Sequence, residues 1–242
     1  MKQFLHITII LLLLPLCIKA QIGEHRNDLS VGFHGGVALN NISFLPKVNQ
    51  KFHKGAEGGF MFRYTCEKYF TMICSIQGEI NYTQLGWDED IINANNEPVP
   101  SLLDGTPEYY KRTMNYVQIP LMAHLAWGKE KQGVNFFFNA GPQFGFFLND
   151  KTETNFTTQT ANYKERSSSI VAQDTMAIEN KFDYGICAGL GVEAHIRNVG
   201  RFQLEARYYY GLGNIYGDSK RDYFATSNHG TITIRAAYLF DL

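Results

Sequence analysis

Apolar and polar residues alternate along residues 201–212, RFQLEARYYYGL. Successive side chains of a β-strand point to opposite faces of a sheet, so the alternation predicts a strand with one apolar face and one polar face. The apolar face would carry Phe202, Leu204, Ala206, Tyr208 and Tyr210, and the polar face Gln203, Glu205, Arg207 and Tyr209. The same alternation predicts seven more strands, over residues 29–40, 58–67, 70–83, 114–127, 134–148, 181–196 and 230–241.

The connections between the predicted strands alternate in length. Those after the first, third, fifth and seventh strands are long, at residues 41–57, 84–113, 149–180 and 211–229. Those after the second, fourth and sixth strands are short, at residues 68–69, 128–133 and 197–200. Outer-membrane barrels have an even number of antiparallel strands, short periplasmic turns and longer outer loops. The pattern therefore predicts an all-β, eight-stranded antiparallel up-and-down transmembrane β-barrel with both termini in the periplasm.

A soluble β-sandwich or lipocalin-like barrel is the alternative fold. The predicted strands span 10 to 16 residues, whereas strands of soluble sheets usually have about 5–6. Tilted strands that cross a bilayer need about 9–11 residues. Strand length and the asymmetry of the loops both favour the membrane barrel. Pro120 lies within the fourth predicted strand, and because proline donates no ladder hydrogen bond, a β-bulge is expected there.

The N-terminus predicts a secretory signal peptide. Met1-Lys2 gives a basic start, residues 7–18 form an apolar run, and Lys19-Ala20-Gln21 follows. A small residue before a polar one at this distance is typical of signal-peptide cleavage, here after Ala20. We therefore expect residues 1–20 to be a signal peptide and residues 21–242 to form a single outer-membrane β-barrel domain.

Composition narrows the function classes without deciding the fold. The formal charge is -1, with 22 Lys and Arg against 23 Asp and Glu, which argues against a nucleic-acid-binding protein because such proteins usually carry a basic patch. Hydrophobic residues make up 45% of the chain. That value fits a soluble domain and also an outer-membrane barrel, because each barrel strand is apolar on one face only. Cleavage after Ala20 would leave three cysteines, an odd number that excludes a complete set of disulfides within one chain.

The polar faces would line the lumen if the apolar faces meet lipid. An eight-stranded barrel is narrow enough for side chains to fill it. Charges of both signs occur on these faces, so we expect a paired structural network that includes Arg63, Glu79, Glu193, Glu205, Arg207 and Arg235. Glu205 and Arg207 share a face, and Glu193 and Arg235 on the flanking strands are candidate partners.

Catalysis is the alternative role for the polar residues. Small outer-membrane enzymes would need a nucleophile and a base near the outer rim, and the candidates are His53, Asp218, Ser219 and His229. No serine lies in a G-x-S-x-G motif. His34, His124 and His195 lack the close spacing of metal ligands. We therefore predict no catalytic residue, no cofactor and no metal.

Several segments resemble one known family. They are GVALNNISF, GGFMFRY, GEINYTQLGW, YVQIPLMAHLAWG, FNAGPQFGF, FDYGICAGLGVE and FQLEARYYYGLGNI. In this order they resemble the PorT-like outer-membrane β-barrel family of Bacteroidota. The resemblance implies an eight-stranded barrel and supplies no catalytic motif. The family's namesake takes part in protein export through the type IX secretion system, and many relatives carry only the barrel.

The expected function is that of a non-enzymatic integral outer-membrane protein with a structural or partner-binding role. A role accessory to type IX secretion is one form of it. Its partners would be outer-membrane lipid and other envelope or secretion proteins, and not nucleic acid. A small solute pore and a lipid-modifying enzyme are the alternatives.

Overall fold

The computed structural model describes residues 23–130, 132–217 and 223–242. The predicted signal peptide, residues 1–20, lies outside this range. The strands are β1 (Glu24–Leu45), β2 (Gln50–Lys51), β3 (His53–Tyr69), β4 (Met72–Glu89), β5 (Tyr110–Trp127), β6 (Gly133–Thr154), β7 (Phe182–Ile196), β8 (Gly200–Asn214) and β9 (Thr226–Asp241). A 3-10 turn, Ala172–Asp174, lies between β6 and β7. Within the described residues, no helix has the length and apolar character needed to cross a membrane.

The eight long strands form a closed ring. Each of them pairs antiparallel with its neighbours in the chain, and β1 pairs with β9 to close the sheet. The two-residue strand β2 is attached to the end of β4. Because every long strand has a partner on both sides, the sheet has no free edge among these strands. The prediction of an all-β, eight-stranded antiparallel barrel is confirmed.

The apolar faces of the strands point outward. In β8, Leu204 is 55% exposed while the neighbouring Glu205 is 2% exposed. The same inversion holds around the ring, where the exposed large side chains are apolar and most of the buried ones along the strands are polar. A soluble barrel would bury its apolar face instead, so this arrangement is that of a barrel surrounded by lipid.

The two ends of the barrel differ in the length of their connections. The end that carries the connections 46–52, 90–109, 155–181 and 215–225 is called the loop end here. The opposite end, called the turn end, carries both termini and the connections 70–71, 128–132 and 197–199. The predicted loop 41–57 is too long, because β1 continues to Leu45 and β3 begins at His53. Strand pairing here continues beyond the lipid-facing band, where the apolar residues Ile42 and Phe44 are buried and the parity of the alternation is reversed.

Pro120 does not produce the expected bulge. It pairs with Gln143 of β6, and the register stays the same on both sides of it. The irregularity between β5 and β6 lies instead at Asn115 and Tyr116. Toward β4, the ladder is interrupted between Leu121 and Gln118 and resumes without a shift. The chain accommodates the missing donor by leaving ladder positions open, so the prediction of a bulge at Pro120 is wrong.

The largest hydrophobic cluster lies at the loop end and forms a cap over the lumen. Phe44 packs edge-on against Trp87, with ring centroids 5.4 Å apart, and lies 4.8 Å from Phe224. This cap cluster comprises Ile42, Phe44, Val48, Leu85, Trp87, Ile91, Val99, Tyr110, Met114, Tyr116, Phe156, Ala161, Ile215, Tyr216 and Phe224. Its members come from strand ends and from the loop-end connections. The middle of the barrel, in contrast, is filled by polar side chains.

Candidate functional site

Glu79 is the centre of the polar network inside the barrel. Both of its carboxylate oxygens accept from Arg207, each at 2.9 Å, and both accept from Arg235, at 2.8 and 2.6 Å. The carboxylate of Glu205 accepts from Arg207 Nε at 2.9 Å and from Arg235 Nη2 at 2.7 Å. All four side chains are buried. Two arginines and two glutamates from β4, β8 and β9 therefore form a neutral, bidentate quartet.

A second group of ion pairs lies nearer the turn end. Arg63 Nη1 donates to Glu193 Oε2 at 2.5 Å, and Arg63 also donates twice to Gln77 Oε1. Gln203 donates to Glu193 at 2.7 Å. Arg201 lies on the same face of β8 as Glu205. Its Nη1 donates to Glu193 Oε1 at 3.5 Å. Burying either charge without the other would cost several kcal/mol, so the pairing is what makes this interior stable.

Neutral side chains join the two groups. Gln77 Nε2 donates to Glu79 Oε1 at 2.7 Å, so one amide touches both. Asn139 donates to Glu205 at 3.2 Å and lies 2.7 Å from His124 Nδ1. The six charged residues that the sequence placed in the lumen thus lie in one connected network. The alternation along the strands places Gln77 and Asn139 on the polar faces, but it does not predict that their amides bridge the charged groups.

Arg166 links two of the connections at the loop end. Arg166 lies in the β6–β7 connection and donates to Glu108 at 2.9 and 3.1 Å, and to Asp174 at 3.4 Å. Its guanidinium lies over the rings of Phe156 and Tyr163, with centroid distances of 4.6 and 4.8 Å. Cation–π contacts of this kind add to the ion pairs when the charge is desolvated. The β4–β5 and β6–β7 connections are therefore held together as one structure.

The turn between β5 and β6 is held at the turn end by Glu130. Its carboxylate accepts from Arg26 of β1 at 2.5 Å and from Lys68 of β3 at 3.1 Å. The hydrogen bonds from these two cations lower the pKa of Glu130 to about 2. His195 of β7 lies with Nδ1 2.7 Å from the Glu130 carbonyl oxygen. The turn thus contacts three other strands of the ring.

The family of the chain follows from its sequence match. Residues 19–217 match the family described as "Outer membrane protein beta-barrel domain". The chain belongs to this family. As an outer-membrane barrel, its outward apolar surface faces lipid, in agreement with the exposed side chains described above. A search of curated proteins found no match.

Solved structures similar to this outer-membrane barrel include three bacterial proteins. The Ail protein of Yersinia pestis has 15% identity and a TM-score of 0.37, with 90% of this chain and 99% of that chain covered. OprG of Pseudomonas aeruginosa has 13% identity and a TM-score of 0.42, with 90% and 98% covered. Neisserial surface protein A has 11% identity and a TM-score of 0.41, with 88% and 97% covered. Likeness at this level carries no information about function.

The catalytic candidates do not form a hydrolytic site in the described part of this outer-membrane barrel. Asp218 and Ser219 lie outside the described residues. The Nδ1 atom of His53 lies 2.8 Å from Asp88 Oδ1, and its Nε2 lies 3.4 Å from Thr113 Oγ1. A carboxylate, an imidazole and a hydroxyl follow in the same order in a catalytic triad. However, His53 is 1% exposed whereas the Asp88 side chain is 32% exposed. A working triad buries its carboxylate and leaves its base accessible to substrate. The burial here is the reverse.

The remaining candidate base, His229, and the cysteines form no reactive group with a neighbour among the described residues. His229 is buried, and its Nε2 lies 3.4 Å from the Tyr116 hydroxyl. Cys66, Cys74 and Cys187 are free thiols. Across residues 23–130, 132–217 and 223–242, no group of three or more His, Cys, Asp and Glu side chains is arranged to hold a metal ion.

Proposed function

We propose that this outer-membrane barrel is a closed, non-conducting and non-enzymatic protein that acts as a scaffold and binds a partner through its loop end. The observation that carries the proposal is the interior quartet, in which Glu79 on β4 bridges Arg207 and Arg235 on β8 and β9. These contacts cross the lumen. Separating one buried partner from the others costs about 3–5 kcal/mol, so thermal opening of a water path through the quartet would be rare.

The cap cluster supports the same proposal. It packs aromatic rings over the loop end of the lumen, with Trp87 fully buried. A solute pore would need polar, hydrated walls at this position. The barrel is therefore blocked by ion pairs in its middle and by an apolar core at its loop end.

We further propose that the loop end faces the cell exterior and that both termini lie in the periplasm. Support comes from the family, whose barrels carry longer loops outside and short turns in the periplasm. The tip of the β4–β5 connection would then be displayed outward. It carries Leu102 and Leu103, which are 65% and 68% exposed. Hydrogen bonds of Ser101 and Asp104 to backbone amides hold this tip in shape.

Conductance in planar lipid bilayers tests whether the barrel is closed. We expect the mature chain to insert without producing stepwise ionic currents, because the quartet and the cap cluster both lie across the lumen. A porin reconstituted in the same lipid serves as the positive control for insertion and detection. Discrete current steps from the folded chain would overturn the proposal in favour of a small solute pore.

The proposed partners are other envelope or secretion proteins, and the PorT-like resemblance favours a role accessory to type IX secretion. Deleting the gene and comparing secreted and surface proteins tests this role. We expect a reduced set of exported proteins that the wild-type chain restores and that the Leu102→Ser, Leu103→Ser double variant restores poorly. An unchanged export profile would remove the secretion role, while the conductance result would still decide whether the barrel is closed.

A further inference from the structure

A cleft of about 350 Å³ lies beside the loop-end half of β1 and the connection that follows it. Asn41 and Ser43 of β1 form one side of the cleft, and Lys47, Lys51 and Phe52 form the other. Residues two apart in a strand share a face, so Asn41 and Ser43 continue the outward face of β1 that carries the lipid-facing side chains. The cleft therefore opens on the outer wall of the barrel and not on the lumen.

The cleft lies at the height where the apolar wall ends. Leu39 of β1 pairs with Ile232 of β9, and the next outward pair is Asn41 with Gly230. Tyr210 of β8 is also paired with Gly230, and its ring is exposed on the same wall. Aromatic rings flank the apolar band of outer-membrane barrels at the level of the lipid head groups. The cleft therefore faces the head groups of the adjacent leaflet.

The cleft carries positive charge. Two lysines line it, and no acid does so among the described residues. The ammonium of Lys47 has no ion-pair or hydrogen-bond partner within the described chain. Lys51 contacts Asp90 at 2.7 Å, but its side chain is 70% exposed. An ammonium has three donors and an exposed ion pair is weak, so Lys51 can donate to a second anion. Lys54, which is opposite Leu39 in the register of β1 and β3, adds a third cation at this border.

Gln50 holds the backbone around the cleft in a fixed shape. Its Nε2 donates to the carbonyl oxygens of Ile42 and Val48, at 2.8 and 3.3 Å, and its Oε1 accepts from the Ile42 amide at 3.0 Å. On the other side, Thr226 of β9 donates through Oγ1 to the Ser43 carbonyl at 3.2 Å. Both lysines of the cleft therefore extend from backbone that is already ordered, which lowers the entropic cost of binding.

We propose that this cleft binds the phosphate group of one membrane lipid. Lys47 and Lys51 donate to the phosphate oxygens. The side chains of Asn41 and Ser43, which have no hydrogen-bond partner in the described chain, supply neutral donors. The acyl chains lie along the apolar wall next to the cleft, and the exposed ring of Phe52 borders the head group. The apolar contacts distinguish a lipid from a free anion, and the assignment does not depend on which side of the membrane the loop end faces.

Native mass spectrometry of the full mature chain in detergent micelles, titrated with phosphatidic acid, tests the site. We expect one tightly bound lipid per chain. Each basic residue beside an anionic lipid changes the affinity by about fivefold, so Lys47→Gln should lose about that factor and the double variant with Lys51→Gln should lose more. Lys151→Gln is the matched control, since Lys151 is an exposed lysine at the same end of the barrel that pairs with Glu153 at 2.8 Å. Its affinity should stay within about twofold of wild type.

Asp90→Asn should change the affinity in the opposite direction. It releases Lys51 from its ion pair, so phosphatidic acid should bind more tightly, by up to about fivefold. Damage to the fold would weaken binding instead, so the sign of this change separates the site from a structural effect. The wild-type chain should also prefer phosphatidic acid to phosphatidylcholine, because the trimethylammonium group of phosphatidylcholine offsets the phosphate charge.

Several outcomes would overturn the proposal. They are binding that survives the loss of both lysines, an equal loss in Lys151→Gln, weaker binding in Asp90→Asn, or no preference for phosphatidic acid over phosphatidylcholine. Displacement of the bound lipid by an equal concentration of glycerol phosphate would overturn the lipid assignment in favour of a soluble phosphate. The site goes beyond the proposed scaffold role, and it can fail while the barrel remains closed, because conductance is measured separately.

Discussion

Glu79 receives four hydrogen bonds from two arginines, and its substitution tests how strongly the interior depends on pairing. Glu79→Gln keeps the shape of the side chain but leaves Arg207 and Arg235 with an uncompensated positive charge. Removing one partner of a buried ion pair destabilises a protein by about 3–5 kcal/mol. We expect a loss of this size in urea-induced unfolding of the barrel in lipid vesicles.

Glu97→Gln is the matched control for that measurement, because Glu97 is an exposed acid of the β4–β5 connection. Substitutions at such positions usually change stability by less than about 0.5 kcal/mol. Equal effects of the two variants would mean that the quartet does not stabilise the barrel.

At the scale of single residues, alternation along each strand predicts which side chains enter the lumen and leaves their partners undetermined. Glu205 and Arg235 are directly opposite in the register of β8 and β9, so their contact follows from neighbouring strands. Arg63 and Glu193 instead meet across the barrel, 130 residues apart. Such a contact depends on the ring diameter and the reach of the side chains, which a one-strand pattern does not contain.

At the scale of elements, β4 carries a glycine that its pairing with β5 requires. Gly86 has φ of +153°, and a Cβ there would lie 2.0 Å from the backbone oxygen of Arg112. Alanine would be forced both into a rarely adopted conformation and against the neighbouring strand. Strained backbone of this kind costs about 1–3 kcal/mol.

We therefore expect Gly86→Ala to lower the free energy of unfolding by about 1–3 kcal/mol from backbone strain, and by more if the contact with Arg112 cannot relax. Gly35→Ala in β1 is the control, since a Cβ there would come no closer than 3.9 Å to the Glu57 backbone oxygen. Urea unfolding of the two variants side by side makes the measurement. A destabilisation by Gly35→Ala as large as that by Gly86→Ala would contradict the steric explanation.

The extents of the elements show where sequence patterns stop being informative. The apolar band of each strand has to face lipid, so period-two alternation marks it clearly. Beyond that band, Ile42 and Phe44 of β1 still pair with His229 and Ser227 of β9. Their side chains are buried at the loop end instead of facing lipid, so the parity of the alternation is reversed there and the lipid-facing pattern does not extend to these paired ends.

At the scale of the whole molecule, the fold was predictable because the ring imposes the same constraint on every strand. The cap cluster was not, since it is assembled from strand ends and connections, as in the contact of Phe44 with Trp87 and Phe224.

The pairing of β1 with β9 has a consequence for the order of events during biogenesis. The seam joins Ser30 to Asp241 at one end and Leu45 to Thr226 at the other. Because a chain is synthesised from its N-terminus, β1 exists long before its partner β9, and an unpaired strand edge invites association with other chains. Inside a bilayer, unpaired backbone groups are also strongly unfavourable. Closure of the ring therefore requires the C-terminal strand, and the edge of β1 stays unpaired until those residues are present.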